Sequence, residues 1–238
     1  MKKLTLTLLL FINIINYSQE KFEGEIIYKV ILNRPDFSKL EKNKKISKKR
    51  KEEIKKTFKF SENVEATMQF NGKESLYSVK KSMRNESNKR INFTEIFAGN
   101  TDKFYVNSAN KEYFYQTSTF GENLLIEMAQ KKWRLTQETK KIGKYTCYKA
   151  IDLDSKNYST IAWYTPEIPV NFGPKKYFGL PGLILELQDS ATFFSVIKIK
   201  ISNKRIKIKK PTKGKKLTAK EYAKIRNRNS PFKNKRKN

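Results

Sequence analysis

The chain has 238 residues, with 52 Lys or Arg against 23 Asp or Glu, a formal net charge of +29, no histidine and one cysteine. That length suits one domain with its own core. The missing histidine excludes Ser-His and Cys-His catalytic pairs and most zinc sites, and a single cysteine excludes an internal disulfide.

The charge is concentrated. Residues 39–56 hold ten Lys or Arg against three Glu, and residues 198–238 hold eighteen against one Glu, so +24 of the +29 lies in two segments. The remaining body is only mildly basic. The excess belongs to one insertion and one tail.

The start, Met1-Lys2-Lys3 followed by an apolar run over residues 4–15, has the charged and hydrophobic regions of a secretory signal peptide, expected to span residues 1–18 with cleavage near Ser18. The run falls short of the roughly 20 apolar residues that a membrane helix needs. No cysteine lies near the cleavage position, so a lipoprotein anchor is not indicated. The mature protein is expected in the periplasm, or beyond it at the outer surface or in the medium, with no transmembrane segment.

Residues 22–32 alternate as an opening strand, ended by Arg34-Pro35-Asp36. Residues 39–56 form a basic insertion, read as a solvated helix or a disordered insertion, with helix favoured because Ile54 and Phe58 lie four apart. Strand patterns return at 58–60, 66–70 and 76–79, with Asn71-Gly72 as a hairpin turn whose residues tolerate positive φ. After a polar stretch at 80–90 come the apolar segment 91–98 and aromatic strands at 104–106 and 111–116. Tyr113, Phe114 and Tyr115 in succession must place rings on both faces of one strand. Further strands fit 124–128, 133–136, 145–152, 161–165, 183–188, 192–201 and 205–209. Residues 218–226 suit a short helix, and the basic tail 211–238 is otherwise expected to be disordered.

Short strands joined by turns, with little helical period, predict a mainly β fold. The expected form is a single antiparallel curved sheet or half-barrel, a β-meander over residues 19–210 with one short helix or charged insertion. Such a sheet has an inner face.

Residues 179–184 read Gly179-Leu180-Pro181-Gly182-Leu183-Ile184. Pro181 followed by Gly182 suits a type II turn, in which Gly182 would take positive φ, and the residues after it suit a strand buried on both faces. Three other blocks precede this hexapeptide. They are residues 143–150, with Tyr145, Cys147, Lys149 and Ala150; residues 161–165, with Trp163; and residues 167–174, with Pro169, Gly173 and Pro174. In order and spacing, these four blocks resemble the GLPGLI family, secreted proteins of unknown biochemical role from Gram-negative bacteria of one phylum. The resemblance is close over about fifty residues and looser over 22–208. It implies an exported β domain and a structural role for the hexapeptide. Many relatives carry a Gly-Arg pair where this chain has Lys156-Asn157-Tyr158-Ser159, so a ligand role for that arginine would be missing here.

No catalytic constellation, metal site or cofactor is predicted from the residues. Cys147 lies in an alternating strand and reads as a packed thiol. Asp152 and Asp154 project to one side, but Lys156 puts a cation where a calcium ion's next oxygen would be, so a solvated strand end is the better reading. Glu186 lies in the strongest core strand and is expected to face the wet side. The loop Lys175, Lys176, Tyr177 and Phe178, bracketed by turns of Gly and Pro, is the candidate recognition surface. The expected function is a non-catalytic exported binding or carrier module holding an apolar ligand or an envelope protein. An envelope-surface protein that meets anionic lipid or lipopolysaccharide through its basic segments is the alternative. Export argues against a nucleic-acid partner, and a carboxylate-dependent hydrolase would need paired acids across a cleft. A transmembrane barrel ranks last, because the chain ends Lys235-Arg236-Lys237-Asn238.

Overall fold

Every strand among the described residues joins one twelve-stranded sheet, and β1 (Glu23–Leu32) lies near its middle. The computed structural model describes residues 22–34, 36–80, 91–155 and 160–229. The expected leader at 1–18, most of the polar stretch at 80–90, the 156–159 position and the last residues of the tail lie outside the described residues.

One arm of the sheet is an antiparallel meander running outward from β1. It comprises β2 (Val64–Phe70), β3 (Glu74–Val79), β4 (Lys103–Asn107), β5 (Glu112–Thr119) and β6 (Glu122–Glu127). The other arm begins at the far edge with β7 (Trp133–Ile142). It steps back through β8 (Tyr145–Asp152), β9 (Ile161–Thr165), β10 (Leu183–Gln188) and β11 (Thr192–Ser202), which pairs with β1. After β11 the chain crosses to the opposite edge and adds β12 (Lys215–Leu217), parallel to β6. The sheet is not closed into a barrel. The strand 205–209 expected from sequence has no ladder partner and forms part of this crossing.

Four helices accompany the sheet among the described residues. The basic insertion is two short helices, α1 (Phe37–Lys42) and α2 (Lys48–Lys59), capped by the Asp36 and Ser47 side chains and joined by an edge-on Phe37–Phe58 ring pair at 5.9 Å. Residues 93–98, within the apolar segment at 91–98, are α3 (Phe93–Ala98). Asn92 caps its first turn by accepting from the Thr94 amide at 3.0 Å, and Gly99 ends it, so local capping outweighed the apolar run.

The short helix expected at 218–226 is α4 (Ala219–Arg228), and the preceding part of the tail, expected to be disordered, supplies β12. A capping box between Thr218 and Glu221 starts this helix, and its Tyr222 and Ile225 pack on Leu124, Ile126 and Leu217. The apolar residues spaced among the lysines give the tail something to bury, which its charge alone concealed.

The Asn71-Gly72 hairpin forms, but neither residue adopts positive φ. The Asn71 side chain organises the turn instead, accepting from the amides of Lys73 and Glu74 at 3.0 and 2.8 Å.

One face of the sheet forms the main core. Ile26, Tyr28, Met68, Tyr77, Phe104, Ala150, Ala162 and Phe194 turn inward there, and residues from 168 to 180 fill the space they enclose. Both arms touch that inserted segment, so the sheet curls around it. Tyr113 and Tyr115 pack against this core, whereas Phe114 pairs with Tyr105 on the outer face at 5.1 Å, as three successive aromatics require.

Candidate functional site

The segment joining β9 to β10, residues 166–182, carries the GLPGLI-like blocks and lies inside the curve of the sheet. Its backbone is tied to itself and to the start of β10. The Val170 amide donates to Ile168 O at 2.8 Å around Pro169, whose fixed φ suits so tight a bend. Tyr177 N donates to Pro174 O at 3.1 Å, Gly179 N to Asn171 O at 2.8 Å, and Leu183 N and Ile184 N to Ile168 O and Phe172 O, each at 3.0 Å.

The tight hydrogen-bonded turn is therefore at 174–177, with Lys175 at φ 54°, and not at the Pro181-Gly182 pair. Gly182 does not adopt the positive φ that a type II turn would give it; Gly179 does, at 95°. Gly182 is required for a different reason. A Cβ there would fall 2.6 Å from the carbonyl carbon of Thr165 and 2.9 Å from the nitrogen of Pro166.

Of the candidate recognition loop, Tyr177 and Phe178 are 4% and 1% exposed. Their rings belong to the core. Phe178 lies 4.7 Å from Tyr113 of β5 and accepts at its carbonyl from the Trp133 indole N–H of β7 at 3.0 Å. Tyr177 lies 6.5 Å from Trp133 and donates to Asp189 at 3.2 Å. The loop thus spans the opening between the two arms, making the contacts that a closed barrel would make by strand pairing. Burial, together with the Asp189 charge, pushes the Tyr177 phenol far above its ordinary range, so it stays a neutral donor.

Lys175 reaches across to α3 and donates to Phe97 O at 2.7 Å, at the carbonyl end of that helix. Desolvation pulls its ammonium below the usual lysine range, partly offset by the charges of Asp189 and Asp102. Lys176 alone of the four is exposed.

Asp189 is the polar hub of this end. Besides Tyr177, it accepts from Ala191 N at 2.9 Å, Thr192 N at 2.8 Å and Thr192 Oγ1 at 3.0 Å, closing the β10–β11 turn. It escaped the sequence reading, although Asp-Ser-Ala-Thr between two strands is a legible Asx-turn signal. Under the hexapeptide, Tyr28 of β1 donates to Ile184 O at 2.7 Å. Pro181 is exposed, while Leu180, Leu183 and Ile184 are buried.

The remaining family-like residues divide between the faces. Ala150 and Ala162 face each other across β8 and β9, where small side chains leave room for the inserted segment. Tyr145 packs against the edge of the core, with the Lys144 amine 5.3 Å from its ring. Trp163 stands on the outer face beside Glu186, and the Lys140 amine lies 4.4 Å from its ring centre while pairing with the Glu186 carboxylate. Lys149 pairs with Glu138 at 2.9 Å. Glu186 faces outward, as its position in the strand suggested, but the partner supplied by edge strand β7 was not visible in the sequence.

At this strand end Leu153 and Asp154 are exposed, as a solvated end requires, but Asp152 is 5% exposed and pairs with Lys131 at 3.3 Å. Asp154 turns back to accept from Lys132 N at 3.3 Å. Among the described residues, no three His, Cys, Asp or Glu side chains come together in a way that could hold a metal ion.

Cys147 is fully buried opposite Lys140. Burial first, and the Glu186 charge second, push its thiol up to about 11 from 9.0. At pH 8 that shift leaves about 100-fold less thiolate than an unperturbed thiol has. Labelling of the folded protein by a maleimide should therefore be at least that much slower than labelling in denaturant. Equal rates in the two states would show that this strand opens readily.

Comparison with known proteins agrees with the architecture and is sparing about the rest. No curated protein matches the sequence. Two crystal forms of PNGF-II are similar to this chain at 18% identity. One gives a TM-score of 0.51 over 86% of this chain and 33% of the PNGF-II chain; the other gives 0.49 over 86% and 32%. The chain thus spans about a third of the length of those structures. Residues 153–186, which run from the end of β8 into the hexapeptide and β10, match a family described as a protein of unknown function, Porph_ging.

Proposed function

We propose that the protein is a non-catalytic binding module of the bacterial cell envelope, exported by its first eighteen residues and akin to the GLPGLI family, and that it binds through the outside of its sheet. One observation carries this reading: the residues of the family-like blocks are engaged in holding the sheet together. Phe178 and Tyr177 join the two arms, Leu180 and Ile184 fill the core, and Gly182 lies against the backbone of β9. A carrier holding an apolar ligand within the curve would have to expel this segment. An acid-base role would need groups free to exchange protons, whereas Glu186 and Asp152 are paired and Asp189 is saturated with donors. The face left for a partner is the outer one.

Fractionating cells that make the full chain tests this reading. The expected result is protein in the envelope fraction, with a mass lacking about residues 1–18 and no co-purifying lipid-sized mass in its native spectrum. Unprocessed protein in the cytosol would defeat the export reading, and a stoichiometric apolar ligand inside the domain would defeat the outer-face reading.

A further inference from the structure

We propose that residues 204–216, the crossing segment after β11 together with the first two residues of β12, are an electrostatic docking face for a membrane surface rich in anionic lipid headgroups. The inference rests on reading the protein as an envelope module and adds the surface and the partner. To go from β11 to the far side of β6 the chain must traverse seven strand spacings, about 34 Å at the usual separation. Thirteen residues reach roughly 43 Å when fully extended, so the segment lies as a strap with little slack.

The strap is pinned at successive points along its length. The Ile206 amide donates to the carboxylate of Glu23, and Asn71 Nδ2 donates to Ile206 O at 3.2 Å. Ile208 and Pro211 are buried. Lys210 grips both oxygens of Glu112, at 2.8 and 2.7 Å, and lies 5.8 and 6.0 Å from the ring centres of Tyr105 and Phe114. Gln116 donates to Lys213 O, and β12 then joins the sheet.

With Ile206, Ile208 and Pro211 turned inward, Lys204, Arg205, Lys207, Lys209, Lys213, Lys215 and Lys216 are left exposed. Among the described residues none of these seven forms an ion pair; the acids beneath the strap, Glu23 and Glu112, are occupied in holding it. The backbone carrying these cations is thus tied to the sheet, including residues 211–216 that were expected in a disordered tail, and a backbone already in place loses little freedom on binding.

The strap crosses the face of the sheet turned away from the main core, the face on which Tyr105 and Phe114 pair. Single-stranded nucleic acid would want exposed rings to stack on, yet Tyr105 is 1% exposed, covered at this face with Lys210 above it. A charged bilayer needs only the cations, each lysine at such a surface strengthening binding by about fivefold, over a range set by the Debye length.

The test compares the purified protein with two triple variants in sedimentation with phosphatidylglycerol–phosphatidylcholine vesicles at low and high salt. Lys207→Gln, Lys209→Gln and Lys213→Gln together should weaken binding about 100-fold at low salt. An equal charge change in the helical insertion, Lys44→Gln, Lys45→Gln and Lys49→Gln, should weaken it no more than about twofold to threefold. Replacing the same three strap lysines by arginine should preserve binding, which separates charge from folding, and 0.5 M salt should abolish it. Equal losses in the two glutamine triples, no loss in the strap triple, or a loss confined to a single-stranded oligonucleotide with vesicle binding intact would each overturn the proposal. Cytosolic location in the fractionation experiment would defeat the export reading and leave this vesicle measurement to be judged separately.

Discussion

Gly182→Ala is expected to abolish folding or to destabilise the protein by more than about 4 kcal/mol, a loss confined to a few mechanisms, of which collision in a packed core is one. The added methyl would lie 2.6 Å from the Thr165 carbonyl carbon and 2.9 Å from Pro166 N. Both are backbone atoms, so no rotamer change can make room. Thr165 and Leu183 are paired across β9 and β10, and moving either strand would disturb Tyr164, Ile184 and the Tyr28 hydroxyl bonded to Ile184 O. Gly143→Ala is the matched control. Gly143 adopts φ 56°, but a Cβ there meets nothing within 4 Å, so only conformational strain of about 1 kcal/mol is expected. Urea titrations followed by tryptophan fluorescence read both effects. If Gly182→Ala loses no more stability than Gly143→Ala, the close approach is not a constraint and the hexapeptide needs another explanation.

That contrast marks how far the sequence could be read. The strands were legible because alternation reports directly which residues face a core, and β1, β2, β8 and β9 lie close to where their apolar periods put them. The importance of Gly-Leu-Pro-Gly was legible too, but its mechanism was not. Pro-Gly is a turn signal in isolation, and only the chain passing at Thr165 reveals that the glycine serves a close approach. Long-range partners were the general blind spot. Lys140 with Glu186, Trp133 with Phe178 and Lys175 with Phe97 join residues 46, 45 and 78 apart, and no local pattern encodes such pairs. In the tail only the helix at 218–226 was legible. The tail's charge dominates any compositional window, while Pro211, Leu217 and Tyr222, too sparse to form a period, fix it to the sheet.

Phe178→Ala should cost about 3–5 kcal/mol, as expected for truncating a buried aromatic. The effect should also be uneven across the fold. Phe178 touches Tyr113 on one arm while its carbonyl receives Trp133 from the other, so the cavity would open where the sheet lacks a closing ladder. The β7–β8 hairpin, whose outer strand pairs with no further strand among the described residues, should lose the most protection from hydrogen exchange, whereas β1–β2, flanked on both sides by paired strands, should lose only the global share. A double-mutant cycle with Tyr113→Ala should give a coupling of about 1 kcal/mol, since the second truncation removes a ring that has already lost its partner. Additive losses, or exchange accelerated uniformly along the sheet, would mean that the two arms are held together by β1 alone and that the inserted loop merely fills space between them.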